Sequence, residues 1–153
     1  MNVNECLQNL GIELPTPPQA VANYVPFVRT GDLVMISGQL PIWDGKFPYL
    51  GKVGETVTLE DAIQAARLCG LNILTQLKAA CEGDLNCVKK CVRLGGFVNS
   101  TDDFKDQPKV INGASDLMVE VFGDRGRHAR AAVGVNSLPL GVPVEIEALF
   151  QVK

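Results

Sequence analysis

Arg130 and Glu145 are the residues whose types and setting best suit chemistry, and both lie in the stretch DRGRHARAAVGVNSLPLGVPVEIEALFQV, residues 124–152. Period-two alternation marks two strands in it, joined by Leu138-Pro139-Leu140-Gly141. Ala131, Val133 and Val135 form the apolar set of the first strand, which leaves Arg130, Ala132 and Gly134 on its other side. Val144, Ile146, Ala148 and Phe150 share one face of the second, so Glu145 and Glu147 share the other. This phasing predicts Arg130 and Glu145 together on the sheet face away from the apolar core, among small residues. A fixed cation and a carboxylate held so can pair across strands or face a common ligand, and on spacing alone the ion pair is the commoner outcome. His128 has the side chain whose ordinary pKa suits proton transfer near neutrality, although a lone histidine at a strand entry is more often solvated. Cys87 and Cys91, spaced for one face of a strand, lack the further ligands that a metal site needs. The five cysteines read as free thiols in a reducing compartment.

The elements that must position these residues are legible in order. Val3, Cys6, Leu7 and Leu10 have helical spacing with Gly11 as a stop, and Leu14 to Gln19 is a proline-rich extended connector. Tyr24 to Arg29 and Leu33 to Ser37 read as a hairpin about Thr30-Gly31-Asp32. From Pro41 to Gly54 a loop rich in Gly, Pro and aromatics carries Trp43, Phe47 and Tyr49, as contact residues or as a cluster pinning the loop down. Thr58 caps a long amphipathic helix whose stripe is Leu59, Ala62, Ile63, Ala66, Cys69, Ile73, Leu77 and Ala80. A strand over Leu85 to Val98 follows, with Val88, Val92, Leu94 and Val98 on one side. A second helix runs from about Pro108 to Phe122, and Gly113 within it marks a close approach. Strands with interposed helices give one mixed sheet with two helices on one face, an α+β two-layer domain spanning residues 1–153.

A chain of 153 residues with 46% hydrophobic residues and net charge −3 suits one globular domain. No run of Lys or Arg offers a broad phosphate footprint, so nucleic acid is an unfavoured partner. No apolar run approaches a membrane span, and the N-terminus lacks a basic region followed by an apolar one; a cytoplasmic protein is expected. The sheet face predicted to carry Arg130, Ala132, Gly134, Glu145, Glu147 and Leu149, with Phe97 nearby, is too mixed for a core and too apolar for free surface. Self-association that buries part of it is expected.

The segments ISGQLP (Ile36 to Pro41), FVNSTDDF (Phe97 to Phe104) and HARAAVGVNSLPLGVPVEIEA (His128 to Ala148) resemble the RidA/YjgF reactive-intermediate deaminase family, and the likeness covers about Tyr24 to Val152. The resemblance implies a chorismate-mutase-like α+β fold, a homotrimer with sites in the clefts between subunits, and no cofactor. It implies hydrolysis of 2-imino or enamine acids to 2-oxo acids and ammonia. In it Arg130 matches the arginine that grips the substrate carboxylate through two parallel hydrogen bonds, and Glu145 the glutamate that orients and deprotonates water. Tyr24 matches a pocket tyrosine and Asn112 a polar residue on the second helix, with Gly31 and Ser37 as hairpin residues near the pocket. Ala131-Ala132 stands where Ser-Cys is common, which makes the pocket roomier at Ala132, and His128 stands where proline is common. With the larger N-terminus and loop, these departures mark a divergent branch. Two other functions are compatible: a regulatory trimer that binds a small carboxylate without turnover, and cleavage of single-stranded RNA through Arg125, Arg127, Lys89 and Lys90.

Overall fold

The computed structural model describes residues 2–17 and 23–153. Helix α1 (Val3–Asn9) starts on Asn2, whose side chain accepts from the backbone N–H groups of Asn4 and Glu5, and it buries Val3 and Leu7. The proline connector follows it; Pro18 and Gln19 lie outside the described residues. Strands β1 (Phe27–Thr30) and β2 (Leu33–Gln39) pair antiparallel around the two-residue turn Gly31-Asp32. Gly31 has φ +58°, a conformation that glycine adopts without a Cβ penalty. The strand predicted from Tyr24 begins only at Phe27, after Pro26, which has no N–H to give a ladder.

Thr58 caps α2 (Leu59–Ala80), its Oγ1 accepting from the Asp61 N–H at 3.1 Å. A 3₁₀ turn (Leu85–Cys87) then leads into β3 (Val88–Asn99). The periodicity predicts an unbroken strand from Leu85, but irregularities between Val88 and Lys90 and between Cys91 and Arg93 shift the alternation twice. Cys91 and Leu94 therefore face the core, Val92 leaves the predicted set, and Cys87 stands in the turn rather than beside Cys91 on a strand. All five cysteines are free, and burial pushes the Cys81 and Cys91 thiols up to about 12.

Helix α3 (Gln107–Phe122) has Pro108 in its first turn and ends on Gly123, with φ +62°. A Cβ on Gly113 would run into the Ile63 carbonyl oxygen of α2, so this glycine lets the two helices cross at backbone contact. A 3₁₀ turn (Gly123–Gly126), β4 (Ala129–Val135), a 3₁₀ turn (Pro139–Gly141) and β5 (Val144–Val152) complete the chain.

The sheet is mixed, in the order β1-β2-β5-β3-β4. Helices α2 and α3 cover one face, and the core lies between: Ile73, Leu74 and Leu77 from α2, Ile111, Leu117 and Met118 from α3, and Leu94, Ile146 and Phe150 from the sheet. Phe122 packs edge-on against Phe150 with ring centres 6.2 Å apart. This is the α+β architecture that the element order predicts, but β4 and β5 are not neighbours. β3 lies between them, parallel to β4 and antiparallel to β5. The other sheet face has no covering layer, and Val28, Leu33, Met35 and Val133 stand exposed on it.

Candidate functional site

Arg130 is the second residue of β4, level with Leu94 of β3. Leu94 is a core residue, so Arg130 leaves the sheet on the helix side and extends along α3. There Nη1 donates to Asn112 Oδ1 at 2.8 Å and to Ser115 Oγ at 3.0 Å, while Nη2 donates to the Pro108 carbonyl at 3.3 Å. Asn112 and Ser115 are three residues apart on one helix face, which is why one guanidinium reaches both. Of the five N–H groups of the fork, these bonds leave Nε–H and one Nη2–H without a partner among the described residues. Both nitrogens of His128 are engaged: Nε2 stands 2.9 Å from Ser115 Oγ and Nδ1 2.6 Å from the Gly126 carbonyl. Burial holds its pKa below the ordinary value; the Gly126 bond opposes this, and the charges of Arg130 and Lys90 add to it. Asn112, Ser115, Asp116, Val119, Arg127, His128 and Arg130 line an open cleft of about 270 Å³.

Glu145 forms a second group on the opposite face. It is level with Phe97 of β3, one residue out of phase with the core residues Val144 and Ile146. Its carboxylate lies against Gly38 in the β2 irregularity between Ile36 and Gln39, in space that a Cβ there would occupy. Burial first, then the neighbouring Glu147 carboxylate, raise its pKa above the ordinary value. Glu147 pairs with Arg93 at 3.2 Å on the same open face. Ser37 donates from Oγ to the Val25 carbonyl at 2.8 Å, which ties the chain beside the exposed Tyr24 to this end of β2.

The predicted side-by-side placement of Arg130 and Glu145 is therefore corrected. The β4 phase is the reverse of the expected one: Arg130, Ala132 and Gly134 face the helices, where a Cβ on Gly134 would meet Gln107 and Ser100. Ala131 and Val133 take the open face instead. Because β4 is an edge strand with five of its seven residues exposed, its apolar alternation does not label the core side. With β3 intervening, the two Cα atoms are about 10 Å apart across the strands and about 10 Å along them, and the side chains diverge. The structure brings Arg130, Asn112 and half-buried Ala132 together on one side, and Glu145 and Ser37 towards one end of the other, with Tyr24 exposed in the segment that Ser37 ties down. Gly31 joins neither: it stands at the hairpin tip by Val152, whose N–H bonds to the Asp32 carbonyl, seven residues along β5 from Glu145.

A family model described as "YjgF/chorismate mutase-like, putative endoribonuclease" matches residues 4–149. The chain belongs to the YjgF/RidA family. It is 47% identical to the protein TCP17 of Trypanosoma cruzi over 95% of this chain and 91% of that one. The crystal structure of Atu1372, a protein of unknown function from Agrobacterium tumefaciens, superposes with TM-score 0.93 at 47% identity, covering 99% of this chain and 92% of the other. At 28% identity over 93% of this chain and 95% of its own, a Dermatophagoides farinae relative carries the name 2-iminobutanoate/2-iminopropanoate deaminase.

Against this YjgF/RidA fold, two residues of the site escape a reading of the sequence. Gly38 lies inside the quoted ISGQLP segment, yet nothing local says that Glu145 lies over it. Ser115 had a usable signal, its i, i+3 spacing from Asn112. Elsewhere, Trp43 and Tyr49 of the long loop line a shallow cleft with Leu68 and Leu71 of α2, and Tyr49 packs on the core, as in a loop pinned by its aromatics. Among the described residues no helix is long and apolar enough to cross a membrane, and no three metal-ligating side chains converge.

Proposed function

We propose that the protein hydrolyses 2-imino acids, in equilibrium with their enamines, to 2-oxo acids and ammonia. The observation that carries this reading is the fork of Arg130, braced by three hydrogen bonds to α3 with Nε–H and one Nη2–H left for an anion. A substrate carboxylate taken there sets the adjacent C=N carbon at a fixed distance from the guanidinium. Glu145 takes a proton from water as the oxygen adds to that carbon, and its raised pKa suits a base that must also return the proton to the leaving nitrogen. Collapse of the tetrahedral adduct expels ammonia and forms the 2-oxo acid, so one water is consumed for each imine.

Arg130 and Glu145 of one chain diverge, and a 2-imino acid is far smaller than the distance between them. The complete site is therefore assembled from two chains, Arg130 of one meeting Glu145 of the next. A homotrimer closed through the uncovered sheet face meets this need and buries Val28, Leu33, Met35 and Val133. The name of the Dermatophagoides farinae relative supports the same chemistry.

A second reading, a carboxylate-binding trimer without turnover, is favoured by one observation: the Arg130 fork is held by three hydrogen bonds within a single chain that does not bring Glu145 to it. Release of 2-oxo acid from imines generated in place by an amino-acid oxidase separates the two. Acceleration by the wild type that disappears in Arg130→Ala is the expected result. No acceleration with any imine, from protein shown to be oligomeric, overturns the deaminase reading in favour of the binding one.

A further inference from the structure

We propose that Ser115 and His128 are positioning residues for Arg130: a neutral imidazole turns the Ser115 hydroxyl so that its oxygen faces the guanidinium and fixes the fork in its anion-gripping orientation. The inference rests on the reading of Arg130 as the carboxylate grip.

The argument is one of donors and acceptors. The Gly126 carbonyl can only accept, so at 2.6 Å the hydrogen between it and His128 belongs to Nδ1. In the neutral ring Nε2 is then bare, and the contact at 2.9 Å requires Ser115 Oγ–H to donate to it. With its hydrogen committed, Oγ presents lone pairs to the rest of its surroundings, and Arg130 Nη1 donates into one of them at 3.0 Å. The direction of every bond is thus set in turn, from the guanidinium to the hydroxyl, from the hydroxyl to the ring, and from the ring to the backbone. The final acceptor is itself fixed, because a Cβ on Gly126 would strike the Met118 carbonyl of α3; the turn and the helix are in backbone contact there. Burial, the largest influence on the imidazole, favours the neutral form that the scheme needs.

Asn112 and Pro108 brace the same fork, so loss of Ser115 leaves Arg130 in place but less firmly oriented. Such a change weakens ligand and transition-state binding alike, a rise in KM with little change in kcat.

The chain has a single histidine, so its imidazole NMR signals need no assignment by mutation. Long-range ¹H–¹⁵N correlation is expected to show the Nδ1–H tautomer; a ring that carries its hydrogen on Nε2 overturns the proposal. Titration with 2-oxobutanoate, an unreactive 2-oxo acid, then compares the wild type with Ser115→Ala, Ser115→Thr and His128→Asn, the last keeping a donor for Gly126 and losing the acceptor for Ser115. The alanine and asparagine variants are expected to bind about tenfold more weakly, with a matching KM increase and kcat within about twofold, and the threonine variant to stay near wild type. Equal affinity in wild type and Ser115→Ala overturns the positioning role alone. A wild type that binds no 2-oxo acid overturns the carboxylate grip and this role with it.

Discussion

The carboxylate of Glu145 lies against Gly38, in the volume that a Cβ at that position would fill. The strand irregularity between Ile36 and Gln39 and the missing side chain together leave this half-buried carboxylate its space on the open face. Gly38→Ala is expected to displace the Glu145 side chain and lower imine hydrolysis about tenfold or more, while Tm moves by only a few degrees, because the displaced atoms are the end of a flexible chain. Wild-type turnover in a folded Gly38→Ala protein would show that the position of this carboxylate does not matter.

If each site draws Arg130 from one chain and Glu145 from another, two inactive proteins can restore one another. Unfolding and refolding Arg130→Ala with Glu145→Gln in equal amounts is expected to recover about a quarter of wild-type activity, the share of interfaces that receive one intact residue from each side. An inactive mixture that contains mixed oligomers would place both residues of a working site in the same chain.

The raised pKa of Glu145 makes two linked demands. Its carboxyl is more protonated in the folded than in the unfolded chain at mildly acidic pH, so stability is highest below the unfolded value and is lost as pH rises through the folded one. Glu145→Gln is therefore expected to abolish hydrolysis yet raise Tm at pH 7, with the gain disappearing towards pH 4. A Tm lowered at pH 7 contradicts the sign.

Glu147 is the second cause of that raised pKa, after burial. Glu147→Gln removes a negative charge and is expected to move the acid limb of the activity profile to lower pH, because Glu145 then ionises more readily. An acid limb that stays in place would assign the limb to another group.

At the crossing of α2 and α3 the space is set by backbone, not by a movable side chain. Gly113→Ala drives a Cβ into the Ile63 carbonyl and is expected to cost about 3 kcal/mol, read by chemical denaturation. A loss below about 1 kcal/mol would mean that the helices separate easily.

The elements with one buried face were legible from the sequence. The stripe of α2, the Thr58 cap, the span of α3 and the role of Gly113 all follow from local pattern, because α3 and the first half of α2 turn one side to the core and the other to water. In the second half of α2, Asn72 to Leu77 are buried on every side, which the stripe does not announce. The phase of β4 was not. Its alanines, valines and glycine alternate with an arginine, but at a sheet edge both faces are accessible, and only pairing with β3 decides which is which. The same limit hid Gly38. A hairpin glycine such as Gly31 announces a turn by itself, whereas the end of β2 that meets Glu145 is a matter of register with a strand more than a hundred residues away.

The three bonds that brace Arg130 also change where entropy is lost. A free arginine side chain gives up about 2 kcal/mol of rotamer freedom when it is fixed. Here Asn112, Ser115 and Pro108 fix it as the chain folds. On the proposed reading, a substrate carboxylate meets a guanidinium that is already still, and two contacts to it are expected to bind up to about 30-fold more tightly than they would on a mobile side chain.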